Sequence, residues 1–139
     1  MNRHYQTLEL DKILELLAGQ TNGPDAAQAA RDLRPVPVLT EVKRMQQETN
    51  AAFTLMARFG SPSFGTLKNN ASSLRRAQAG ASLSMRELLD IAETLRNIRS
   101  VVEWRNHCEG ISCCLDDRFS VLAPNKYLEE KITTSILSE

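Results

Sequence analysis

The chain has 139 residues, enough for one domain with a moderate core. Seventeen lysines and arginines balance seventeen aspartates and glutamates, so overall charge neither requires nor excludes nucleic acid, and any phosphate contact must come from a local basic patch. Aromatic residues are only 5% of the chain, a bias toward helix over sheet, and no apolar run reaches the ~18 residues of a membrane span.

Met1 to Gln6 read as a polar lead-in. Leu8, Leu10, Ile13, Leu14, Leu16 and Leu17 form the first apolar cluster, with Asp11 placed to cap a helix that ends at Gly19. Thr21 to Pro24 make a turn, and an alanine-rich helix follows from Asp25 to Leu33, stopped by the Arg34–Pro37 stretch. Thr40 is the expected cap of a third helix reaching Phe59, in which Val42, Met45, Thr49, Ala52, Met56 and Phe59 step by three and four. A loop from Gly60 to Gly65 leads to a weaker helix over Asn70 to Ala79 and a turn at Gly80.

The strongest helical signal starts at Ser84. Ser84 and Glu87 form an S-x-x-E capping box, and Leu88, Ile91, Leu95, Ile98 and Val102 then lie along one seam. Neither proline nor glycine interrupts the run from Met85 to Glu109, which spans roughly 24 residues or about 36 Å. Gly110 ends it, a short helix is expected within Leu115 to Leu122, and a last one runs from Asn125 to Ile136. The expected fold is all-α: one long central helix with several shorter helices packed on it.

Candidate chemistry is sparse. His107, Cys108, Cys113 and Cys114 are the soft-ligand cluster, but zinc sites usually present separated pairs, and buried or incidental thiols explain the same residues. Three cysteines without an apolar leader point to a reducing, cytoplasmic setting. Glu9, Asp11 and Lys12 resemble a minimal metal-dependent nuclease cluster, although a solvated first turn accounts for them as well. No phosphate-binding loop of the GxxxxGK[ST] type occurs. Lys68, Arg75 and Arg76 precede the long helix, and Arg96, Arg99 and Arg105 lie along one flank of it. This flank suits contact with a phosphate backbone, or else a solvated face with partners such as Glu103 for Arg99 and Asp90 for Arg86.

The order of these pieces resembles the start of the second type of bacterial MutS protein, the branch that carries an Smr nuclease domain. Leu8 to Ile13 are similar to its opening signature, with Leu10 where an aromatic is common. Leu33-Arg34-Pro35 and Gln47-Glu48-Thr49 follow in family order. The fullest likeness runs from Pro62 to Leu95, through Phe64-Gly65, Leu74-Arg75-Arg76-Ala77, Gly80, Leu83-Ser84 and Glu87-Leu88-Leu89-Asp90-Ile91-Ala92, with Asn69 where an aspartate is frequent.

The resemblance implies that residues 1–139 are the N-terminal part of a core or lever domain. It implies a larger protein with a clamp, an ATPase domain using ATP and magnesium, and an Smr endonuclease, all outside this chain. It further implies binding of branched DNA in recombination and repair, or of ribosomal RNA on stalled ribosomes. This segment would then be non-catalytic, with no cofactor of its own, coupling the ATPase state to the clamp. Ser84, Glu87, Leu88, Ile91, Leu95, Ile98 and Val102 are its expected structural residues, and apolar seams left uncovered would make the chain self-associate. A stand-alone protein-interaction module is the alternative, and the nuclease at Glu9, Asp11 and Lys12 is a third reading.

Overall fold

The computed structural model describes residues 7–136, and the expectation for Met1 to Gln6 lies outside them. Among the described residues the chain is all-helical: α1 (Leu10–Ala18), α2 (Pro24–Arg31), α3 (Leu39–Phe59), α4 (Ala71–Gln78), α5 (Met85–His107), α6 (Asp116–Ser120) and α7 (Lys126–Ser135). Among the described residues the 23-residue α5 is the longest helix, as expected, and the 21-residue α3 nearly equals it.

Helix ends follow local chemistry at some places and tertiary context at others. At α5 the capping box is complete: Ser84 Oγ accepts from the Glu87 N–H at 3.3 Å, and the Ser84 N–H donates to Glu87 Oε2 at 3.0 Å. Asn125 caps α7 by accepting from the Leu128 N–H at 3.0 Å. The two other expected caps fail. Asp11 sits inside the first turn of α1, behind Glu9 at the N-cap position, where it still favours the helix dipole. Thr40 is likewise inside α3, which starts from extended Val38 with no side-chain cap. Gly60, at φ 77, ends α3 in a conformation that other residues rarely adopt.

Close helix packing occurs in two places, α1 against α2 and α5 against α7. Arg31 of α2 forks onto the Glu15 carboxylate of α1, with both bonds at 2.8 Å. Around α5 the coverage is nearly complete. From Glu87 to Arg105 only Arg96 and Glu103 are exposed, and Ala92 and Val101 are buried. The expected seam of Leu88, Ile91, Leu95, Ile98 and Val102 is half-buried throughout, but it is not the single contact line of this helix. The side carrying Asp90, Glu93 and Asn97 is also an interface, and a polar one.

α3 is held differently. Leu55 is its one buried residue, at 1% exposure, while Thr49, Met56 and Phe59 of the expected seam are exposed. The line facing inward includes Met45, Glu48, Ala52 and Leu55. The chain exposes 10195 Å² in all, where a compact protein of its 15.5 kDa mass would expose about 7,200 Å². The helices form an open array with a core confined to a few positions.

Candidate functional site

Loop 60–70 and α4 bring polar side chains onto one side of α5. Lys68 Nζ stands 2.5 Å from Asp90 Oδ1 and 3.9 Å from Glu93 Oε2. Asn70 donates to the Asp90 carbonyl at 3.2 Å and to Thr94 Oγ1 at 2.7 Å, and Asn97 donates to the Thr66 carbonyl at 3.1 Å. Gly65 lies so close to Asn97 that a Cβ there would collide with its amide, and its φ of 58 is a second reason for glycine.

Glu87 has two tasks. Besides closing the α5 cap, its carboxylate accepts from the buried Ser73 hydroxyl at 2.7 Å and from Arg76 at 2.5 Å, tying α4 to α5. These donors hold its pKa at about 2, led by Ser73, then the Ser84 N–H and Arg76.

The opposite flank carries Arg96 and Arg99, and both point to one carboxylate on α7. Arg99 donates to Glu129 at 2.9 and 3.0 Å, and Arg96 donates to it at 3.3 Å. Glu129 is 5% exposed, so its charge is buried and matched by two guanidinium groups. Arg99 above all, and Arg96 after it, keep the Glu129 carboxyl below its ordinary range against the opposing effect of burial. Arg99 also meets Glu103 at 3.2 Å, and Arg86 meets Asp90 at 3.5 Å, as their i,i+4 spacing suggested.

Arg105 closes the far end of α5. It forks onto Asp116 of α6, donates to the carbonyls of Cys108 and Ile111, and lies 5.8 Å from the Phe119 ring centre. The Cys113 N–H and Arg105 together hold Asp116 at about 2, the backbone donor contributing most. A cavity of about 740 Å³ borders this corner, lined by Val102, Ile111, Phe119 and Leu122 among others. Trp104, tilted against Phe119, keeps a buried indole N–H with no hydrogen-bond partner among the described residues.

Of the six basic residues singled out in the sequence, Lys68, Arg76, Arg96, Arg99 and Arg105 are thus each engaged by a carboxylate of the same chain. Arg75 stands exposed on α4 with no ion pair among the described residues. The soft-ligand residues do not converge: Cys108 is buried and donates to the Trp104 carbonyl, Cys113 sits near Asp116, Cys114 is exposed, and His107 Nδ1 faces the Glu103 carbonyl. Among the described residues no group of three His, Cys, Asp or Glu side chains is arranged to hold a metal ion. Glu9 and Lys12 form an exposed ion pair with each other at 2.6 Å.

Comparison with known proteins places the chain. It is 34% identical over 136 residues, 95% of its length, to an endonuclease MutS2 of Acetivibrio thermocellus. It is 34% identical over 97% of its length to an endonuclease MutS2 of Ruminiclostridium cellulolyticum, and 31% over 99% to that of Clostridium beijerinckii. The chain corresponds to a region of the MutS2 family. It spans 17–18% of the length of these relatives. No protein-family model matches the chain, and no solved structure does.

Several of the residues on which the sequence resemblance rests between Pro62 and Leu95 stand in this junction, beside Lys68, Asn70, Ser73 and Asn97, which are not among them. Pro62 and Ala92 are buried, Gly65 admits Asn97, and Ser84, Glu87 and Asp90 fasten the cap and α4 to α5. Two residues central to the geometry were not singled out in the sequence: Glu129 and Asp116. The available sign for Glu129 was an acidic residue three positions before Ile132, on the side of α7 that faces α5.

Proposed function

We propose that this chain is a non-catalytic helical lever segment of a longer MutS2-type protein, the N-terminal part of its core domain, working in the cytoplasm. The observation that carries this reading is the coverage of α5. Loop 60–70, α4, α6 and α7 are fastened along it by ion pairs at both ends and in the middle, so a displacement of one end moves the whole unit. In the longer protein an ATPase domain using ATP and magnesium would drive that displacement toward a clamp on branched DNA or on a ribosome, with an endonuclease elsewhere in the polypeptide. The basic flank takes a structural role in this account, because its arginines are spent on Glu129, Glu103 and Asp116. Arg75 is the residue best placed for an additional phosphate contact. No helix among the described residues is long and apolar enough to cross a membrane.

A stand-alone interaction module remains the competing reading, favoured by the exposed apolar side chains of α1 and α3, which would let the chain self-associate. The deciding experiment uses the longer MutS2-type protein with Glu129→Gln. The lever role predicts normal basal ATP hydrolysis with several-fold less stimulation by branched DNA or ribosomes. Equal stimulation in variant and wild type would refute it.

A further inference from the structure

Helices α1 and α2 form an arm of their own. Arg31 forks onto Glu15, Ala18 and Ala30 are buried, and the close helix packing of each is with the other. The arm joins α3 through residues 33–38, which hold no regular structure and are exposed except for half-buried Val36. Pro35 and Pro37 have no N–H to bond, and they keep this linker extended and stiff, so any swing falls at its two ends. At one end Arg34 donates to the carbonyls of Arg31 and Leu33, bonds that stay with the arm. At the other, α3 begins from Val38 without a side-chain cap.

The arm rests on loop 60–70 along a narrow seam. The Asn69 amide donates to both carboxylate oxygens of Asp25 at 3.1 Å in an exposed contact, and its own oxygen accepts from the Ala71 N–H at 3.0 Å. Beside it Gly23 lies against Leu67, where an added Cβ would meet the Leu67 Cβ at 3.1 Å. A cavity of about 210 Å³, lined by Gly23, Pro24, Ala26 and Leu67 among others, interrupts the seam and removes contacts that would hold it shut. Lys68 and Asn70, on either side of Asn69, reach the other way, to Asp90 on α5. Three consecutive side chains thus divide between two bodies, the middle one holding the arm and its neighbours holding α5.

We propose that α1–α2 is a hinged arm, latched on loop 60–70 by the Asn69–Asp25 contact, which swings out as a unit about residues 33–38 while the loop stays on α5. The latch is one exposed amide on one carboxylate, weak enough to open without unfolding either body. Lys68, Asn70 and Asn97 fasten the loop to α5 at several points, so the loop does not follow the arm. This motion is independent of the lever role.

Spin labels on the full chain test it, at Ala29→Cys in the arm and Asn106→Cys near the end of α5, in a Cys113→Ser, Cys114→Ser background that leaves only buried Cys108. Asn69→Asp sets two carboxylates face to face while keeping the acceptor for Ala71. Pulsed dipolar spectroscopy should then show a second, displaced distance, with the open-to-closed ratio raised about tenfold over wild type and helix content by circular dichroism unchanged. Exchanging the partners, Asp25→Asn with Asn69→Asp, should restore the closed distance, because amide and carboxylate meet again. A control pair at Asn106 and Glu130, inside the α5–α7 unit, should not move. A single unchanged distance in Asn69→Asp would overturn the hinge, as would failure of the exchanged pair to restore it. Loss of helix content would show the arm melting, and a shift of the control pair would show the whole chain loosening; either result refutes the proposal.

Discussion

The two long helices α3 and α5 have similar length and similar three-four spacing, yet they are held in opposite ways. α5 starts at a complete capping box and is touched along nearly its whole circumference, by apolar side chains on one side and by Lys68, Asn70, Arg76 and Thr66 on another. α3 starts without a side-chain cap, fixes itself inward at Leu55, and leaves Leu39, Phe53 and Met56 in solvent. Apolar spacing therefore marks one face of a helix and says nothing of the others. What makes α5 central is the set of polar partners that cover its remaining faces.

The comparison breaks most easily at Leu55. Leu55→Ala removes the one fully buried side chain of α3, and it should cost about 3 kcal/mol in urea unfolding. On the α5 side, Glu129→Gln leaves Arg96 and Arg99 without their shared carboxylate. Arg99 retains Glu103 and both guanidiniums reach solvent, so the loss should be about 2 kcal/mol, seen as a lower thermal midpoint.

Acid should loosen the α5 junctions, and with them the Glu48–Arg118 pair that ties α3 to α6. Glu87 and Asp116 both have folded pKa values of about 2, below their ordinary carboxylate values of 4.5 and 3.8. A depressed carboxylate stabilises the fold above its unfolded pKa and loses that contribution as pH falls through the folded value. Stability at the α4–α5 and α5–α6 junctions should therefore decline from about pH 4.5 toward pH 2, and Glu87→Gln should flatten part of that slope in a denaturant titration at each pH. The smallest effect belongs to Ser84→Ala, about 1 kcal/mol, since it removes one capping acceptor while Glu87 still binds Ser73 and Arg76.

Much of the fold was legible because its signals are local. Ser84 and Glu87 are three residues apart, Asn125 directly precedes its helix, and the Gly60 and Gly110 stops act on their own turns. The caps assigned to Asp11 and Thr40 failed because good capping residues lay one or two positions inside helices whose starts are set by Glu9 and by the extended approach to Val38. Leu55 was passed over because the three-four series through Ala52, Met56 and Phe59 runs beside it, and only tertiary contact decides which line faces inward. The basic flank was visible as spacing, but its acceptors were not. Glu129 is 30 residues from Arg99, and Asp116 reaches Arg105 across a turn that the sequence does not shape by itself.

The unequal anchoring of α3 and α5 is tested most directly by hydrogen exchange of the whole chain, followed by mass spectrometry at low and high protein concentration. Amides of α5 between Leu88 and Arg105 should be strongly protected at both concentrations. Those of α3 should exchange faster at both concentrations, since its outer face is open to solvent. Equal protection of the two helices, unchanged by concentration, would contradict the account.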